Sequence, residues 1–132
     1  MIAGIGTDIV AVERVAAALR RHGERFAARV LTAGELAGFQ RSQHHTAFVA
    51  RRFAAKEAAV KALGTGFTGG IGLRDVEVVS DPRGRPLLRL HGAARERAAE
   101  LRVVDQHLSI SDERDYAVAF VVLIAGEGGR AP

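Results

Sequence analysis

The sequence has no cysteine and no tryptophan, and its 132 residues include one methionine, one tyrosine and three prolines. Without cysteine there is neither a disulfide scaffold nor a thiolate metal site. Aromatic residues make up 5%, too few for base stacking to be a main mode of binding. No run approaches the roughly 18 to 20 consecutive apolar residues of a membrane span. The first ten residues carry no basic leader and place Asp8 where a signal sequence stays apolar. These absences predict a cytoplasmic protein. Lysine is scarce too: among 19 basic residues only Lys56 and Lys61 are lysines. Lysine is a compact point charge that can shift its pKa and hand over a proton, whereas arginine cannot.

What is present describes one globular domain. Hydrophobic residues make up 48% and charged residues 26%, and the length suits a single core. The net charge of +4 is compatible with nucleic acid, an acidic protein or a phosphorylated small molecule.

Residues Ile2 to Val10 read as a buried strand with Gly4, Gly6 and Asp8 on one side. Two glycines beside a carboxylate leave room for a ligand, or mark a tight crossing with Asp8 capping the next helix. That helix carries Val12, Val15, Ala16 and Leu19 on one face and stops at Gly23. Arg14, Arg21 and Arg25 fall opposite, at spacings of seven and four, as a solvated face or a docking surface for something acidic. Thr32 and Glu35 have the form of a capping box, starting a short helix to about Arg41. His44 and His45 fall in a polar surface loop. A long helix is predicted from Thr46 to Leu63, with Phe48, Val49, Phe53, Val60 and Leu63 as its core face and Gly64 as a left-handed cap. Hairpin strands at Asp75 to Val79 and Pro86 to Leu90, a helix at Ala93 to Leu101 and strands at His107 to Ser111 and Tyr116 to Ile124 follow. The pattern predicts an α+β fold, a long central helix against a mostly antiparallel sheet. The domain covers residues 1–124, and residues 125–132 read as a flexible glycine-rich tail.

In the long helix Glu57 and Lys61 are one turn apart, amid Ala50, Ala54, Ala58 and Ala62. Such a pair can be a plain surface ion pair. On so slender a helix it is also open to something pressed closely against it. With one more carboxylate, for which Asp8 is the candidate, it meets the needs of a magnesium–phosphate site: few hard oxygen ligands, with water and phosphate completing the octahedron. Gly4-Ile5-Gly6 and Gly64-Thr65-Gly66 are too short to be nucleotide-binding fingerprints.

The ordered set Ile2-Ala3-Gly4-Ile5-Gly6-Thr7-Asp8, Val12-Glu13-Arg14-Val15, Arg29-Val30-Leu31-Thr32, Arg52-Phe53-Ala54-Ala55-Lys56-Glu57-Ala58, Lys61 through Gly66, Gly84-Arg85-Pro86 and His107-Leu108-Ser109 resembles the short bacterial holo-(acyl-carrier-protein) synthases. These are 4′-phosphopantetheinyl transferases. The resemblance implies that family's fold. It also implies transfer of 4′-phosphopantetheine from coenzyme A to a serine of apo acyl carrier protein, releasing 3′,5′-ADP and supporting fatty acid biosynthesis. By the same resemblance Asp8 and Glu57 bind Mg²⁺ (or Mn²⁺), Lys61 lies at the reacting centre, and Arg52, Gly64, Thr65, Gly66, Pro86 and His107 surround the coenzyme. Arg14, Arg21 and Arg25 then face the acidic carrier protein. The resemblance further implies a homotrimer with active sites between subunits, and no nucleic-acid or membrane partner.

Two positions depart from the family pattern: Asp112 stands where many members carry histidine, and Arg51 where a small residue is common. Arg51 adds charge near the coenzyme's 3′-phosphate or merely toward solvent. A non-catalytic basic module is the competing reading; it explains the arginines but leaves Asp8, Glu57 and the two lysines without a task.

Overall fold

The structure is a computed structural model that describes residues 1–127. Strand β1 (Ile2–Ala11) leads into helices α1 (Val12–His22), α2 (Glu24–Val30), α3 (Ala33–Arg41) and α4 (His45–Ala62). A 3₁₀ turn at Leu73–Asp75 precedes β2 (Val76–Ser80) and β3 (Pro86–Leu90). Helix α5 (Gly92–Glu100) and the long strands β4 (Val103–Asp112) and β5 (Tyr116–Ala125) close the chain. β1, β5 and β4 form one antiparallel sheet in that order, and β2 and β3 form a separate hairpin. The α+β expectation holds, with α4 at the centre.

α4 lies against the three-stranded sheet because both surfaces are built from small residues. On the helix Ala50, Ala54, Ala58 and Ala62 are buried, as are Ala117 and Ala119 of β5, a strand that packs on α4. The closest approach is at β1: a Cβ on Gly4 would lie 1.9 Å from the Ala62 carbonyl oxygen, and one on Gly6 would lie 2.0 Å from that of Ala58. Only glycine permits such backbone contact. The alanines therefore do not hold space open around Glu57 and Lys61, as expected from the sequence. What presses against them is the protein's own first strand.

β1 is not a buried strand. Its Gly4, Gly6, Asp8 row faces α4, while Ile5 and Ile9 on the other side stand about 60% exposed. Antiparallel pairing aligns Ile5 with Val122 and His107, and Ile9 with Val118 and Ser111, so these side chains share the outer sheet face.

Helix α2 is absent from the sequence reading. Gly23, at φ 59°, ends α1 and begins α2 directly, burying Ala27 and Val30. Arg25 therefore sits on a different helix from Arg14 and Arg21, and the single seven-and-four stripe does not exist. Helix α4 starts at His45, whose ring stacks on Phe39 with centroids 4.3 Å apart, so His45 is not in a loop. β5 runs through Ala125, paired to Val103. Of the expected tail, residues 128–132 lie outside the described residues.

Candidate active site

Asp8 follows Gly4 and Gly6 on the face of β1 that meets α4. Where Gly4 and Gly6 lie flat on the helix, Asp8 projects from the same strand face one step further on, beside Lys61 and Glu57. Lys61 Nζ donates to Asp8 Oδ1 at 3.2 Å and to the Thr7 carbonyl at 3.1 Å. Ala11, not Asp8, is the N-cap residue of α1, so the capping alternative is excluded.

Asp8 and Glu57 line one cleft of about 360 Å³, together with Arg14, Val15, Ala18, Phe26 and Phe53. The Glu57 carboxyl is pushed above its ordinary pKa, first by burial and then by the negative charge of Asp8, with Lys61 opposing. Two carboxylates close enough to repel are a site that a cation would relieve. Among the described residues no cluster of three or more His, Asp or Glu forms. The protein's share is this pair, which fits an ion that keeps most of its shell for water and phosphate oxygens, as Mg²⁺ does. The chemistry of the donor set therefore agrees with the expected metal.

The sequence model of the 4′-phosphopantetheinyl transferase superfamily matches residues 4–121. The chain belongs to that superfamily. A holo-(acyl-carrier-protein) synthase of Halorhodospira halophila is 65% identical over 126 residues, 96% of this chain and 100% of the relative. The crystal structure of a holo-(acyl-carrier-protein) synthase from Neisseria meningitidis aligns with a TM-score of 0.86 at 40% identity, covering 94% of this chain and 99% of that one. The Bacillus anthracis enzyme, solved in complex with CoA (3′,5′-ADP), aligns with a TM-score of 0.79 at 38% identity, covering 96% and 99%.

In this phosphopantetheinyl transferase the remaining expected residues are spread over the surface. Arg52 leaves α4 half-buried, its guanidinium 3.8 Å above the Phe48 ring and its Nε 3.8 Å from Glu35 Oε2. Burial lowers its pKa, Glu35 opposes the shift and Arg51 adds to it. Gly64 and Gly66 take φ values of 77° and 60°, and the Thr65 and Gly66 amides both return to the Val60 carbonyl. This is the left-handed helix end the sequence predicts. Pro86 opens β3 opposite Ser80. His107 lies on the outer sheet face, 3.3 Å from Asp105 Oδ2. Neither Pro86 nor His107 lines the cleft that holds Asp8. Arg14 does, while Arg25 borders a smaller hollow of about 100 Å³ with His22, Phe26 and Arg29. Arg21 is exposed near the end of α1.

Lys56 is not part of this site. It points to the opposite side of α4, fully buried, and donates to Glu35 Oε1 at 2.8 Å, to the Leu73 carbonyl at 3.0 Å and to the Val76 carbonyl. Burial lowers its pKa against the pull of Glu35. The two family departures meet each other: Arg51 Nη1 lies 3.4 Å from Asp112 Oδ2, so Arg51 is not simply solvated. Phe26 and Ala18, which wall the cleft with Phe53, carry no signal in the sequence beyond apolar spacing, and nothing local marks them as site residues.

Proposed function

We propose that this protein transfers the 4′-phosphopantetheine group of coenzyme A to a serine of apo acyl carrier protein, yielding the holo carrier and 3′,5′-ADP. The observation that carries the reading is the convergence of Asp8 and Glu57, from β1 and α4, on one cleft, with Lys61 bonded to Asp8 beside it. Asp8 and Glu57 would hold Mg²⁺ or Mn²⁺. Bound there, the ion supplies charge neutralisation to the diphosphate oxygens. Lys61, exposed and tethered to Asp8 and to the Thr7 carbonyl, presents its ammonium to a phosphate at the same edge. In the reaction the serine oxygen forms a bond to the phosphorus that carries the pantetheine arm. The bond from that phosphorus to the ADP oxygen breaks, and the serine proton passes to a site carboxylate or to water. The protein contributes mainly by positioning the reactants and neutralising charge, which supply most of the catalysis in phosphoryl transfer.

Arg14 supports carrier docking because it lines the cleft itself, and Arg21 and Arg25 extend positive charge along α1 and α2. Arg52, the Gly64–Gly66 turn, Pro86 and His107 belong to the coenzyme site in this reading. Pro86 and His107 are too dispersed to line the Asp8 cleft of their own chain. A homotrimer with sites between subunits would account for that dispersion, since His107 shares the outer sheet face with exposed Ile5, Ile9, Val118 and Phe120. A bare apolar sheet face is a typical assembly surface. A cytoplasmic enzyme serving fatty acid biosynthesis is the matching context; among the described residues no helix is long and apolar enough to cross a membrane.

The test is the intact mass of apo carrier protein after incubation with coenzyme A, Mg²⁺ and the enzyme. The wild type adds one phosphopantetheine. Asp8→Ala and Glu57→Ala stay folded and lose about 100-fold or more of the rate. Full activity in both would remove the reading.

A further inference from the structure

The segment joining α4 to the 3₁₀ turn, residues 64–72, contains five glycines. Four of them, Gly64, Gly66, Gly69 and Gly70, have positive φ. Such a segment has little stiffness of its own; its start is tied to α4 by the Thr65 and Gly66 amides on the Val60 carbonyl, and packing from outside braces it further. Helix α5 does so at both ends. At the near end Leu63 is buried, and its carbonyl, one of the orphan acceptors that terminate a helix, accepts from Arg97 Nε at 3.0 Å. Arg97 Nη2 lies 3.7 Å from where a Cβ on Gly64 would be, and Nη1 is held by Glu100 Oε1 at 3.1 Å. A cation at a helix C-terminus is also favoured by the helix dipole. At the far end Ala93 packs 3.9 Å from the Cβ position of Gly70. Asp75 accepts from the Gly72 amide at 2.9 Å, and its carbonyl accepts from His91 at 2.8 Å.

We propose that Arg97 is a positioning residue for coenzyme binding: through Leu63 and Gly64 it sets the orientation of the Gly64–Gly66 turn that receives the phosphate-bearing nucleotide. The inference rests on the reading of that turn as part of the coenzyme site. Arg97 acts on the turn, and contact with the coenzyme is left to Gly64, Thr65 and Gly66.

The experiment compares Arg97→Met, which keeps the length of the side chain and removes its donors, with Gly64→Ala, which strains the turn itself. Steady-state kinetics are measured separately for coenzyme A and for apo carrier protein, alongside thermal melts. Arg97→Met is expected to raise KM for coenzyme A about tenfold while kcat and KM for the carrier stay within about twofold. Gly64→Ala is expected to raise KM for coenzyme A as well. A purely structural arginine would lower the melting temperature and leave both KM values of the folded enzyme unchanged, and that result overturns the proposal. If Gly64→Ala raises KM for coenzyme A and Arg97→Met does not, the turn binds coenzyme but Arg97 does not position it. If neither variant changes KM, the coenzyme reading of the turn falls, and the proposal with it. Should Arg97→Met fail to fold, Arg97→Gln takes its place with the same outcomes.

Discussion

Gly6 and Ala58 meet backbone to backbone: a Cβ on Gly6 would lie 2.0 Å from the Ala58 carbonyl oxygen and 2.7 Å from the Ala62 amide nitrogen. That contact fixes the height of β1 over α4. Asp8, two residues further along the same strand face, is thereby brought level with Lys61 and Glu57. The approach of strand to helix and the assembly of the acidic pair are one feature.

Gly6→Ala should therefore damage stability and activity together. Backbone atoms cannot yield as a flexible side chain can, so the strand must lift, at a cost of about 3 kcal/mol. Urea unfolding should show that loss. The folded fraction should also respond less to Mg²⁺ in the carrier-modification assay, because Asp8 moves with the strand. An unchanged metal response would mean that Asp8 is placed by something other than this crossing.

Lys56→Met is expected to destabilise the protein by about 3–5 kcal/mol, the range for removing one partner of a buried ion pair. It strips Glu35 of its hydrogen-bonded cation, leaving only the more distant Arg52, and leaves the Leu73 and Val76 carbonyls without their shared donor. The folded remainder should keep its KM for coenzyme A. Chemical denaturation and kinetics at low temperature separate the two effects.

Acid sensitivity should trace to Glu77. Burial alone would raise its pKa, but His91 Nε2 at 2.9 Å and the Thr32 hydroxyl at 2.9 Å outweigh burial and hold it below its ordinary value. A depressed carboxyl contributes stability that is complete above its unfolded value and is lost as pH falls through the folded one. The stability gap between wild type and Glu77→Gln should shrink as pH falls through and below the ordinary carboxylate range. A gap that widens in acid would contradict the assignment.

Phe120→Glu should dissociate the proposed trimer. Phe120 aligns with Thr7 and Ser109 on the outer sheet face and is 46% exposed, so a charge there costs the isolated chain little and an apolar interface much. Light scattering should show a monomer with unchanged circular dichroism, and transferase activity should fall with it. A monomeric wild type would remove the trimer from the reading.

Arg51 and Asp112 illustrate how far a sequence can be read. Each is visible as a departure from the family pattern, yet nothing in the spacing of 61 residues says that they touch, as they do at 3.4 Å. Glu35 is a similar case. The interval from Thr32 reveals its capping box, which the structure contains with Thr32 N to Glu35 Oε1 at 2.9 Å. The same carboxylate also accepts from Lys56 and from the Val78 amide, and no local pattern carries that information.

Apart from α2, the elements and most of their ends can be read along the chain, because periodicity and glycine or proline punctuation are local properties of the backbone. So can the residues that share a face: Gly4, Gly6 and Asp8 on β1, Glu57 and Lys61 on α4. Which faces meet is settled by packing between elements distant in the chain. Lys56 and Lys61 look alike in the chain, but five residues on a helix turn them to opposite sides. One became a buried pin for α3 and β2, the other an exposed cation beside Asp8. The difference lies in what packs against each side of the helix, and side-chain spacing within one element contains no record of its neighbours.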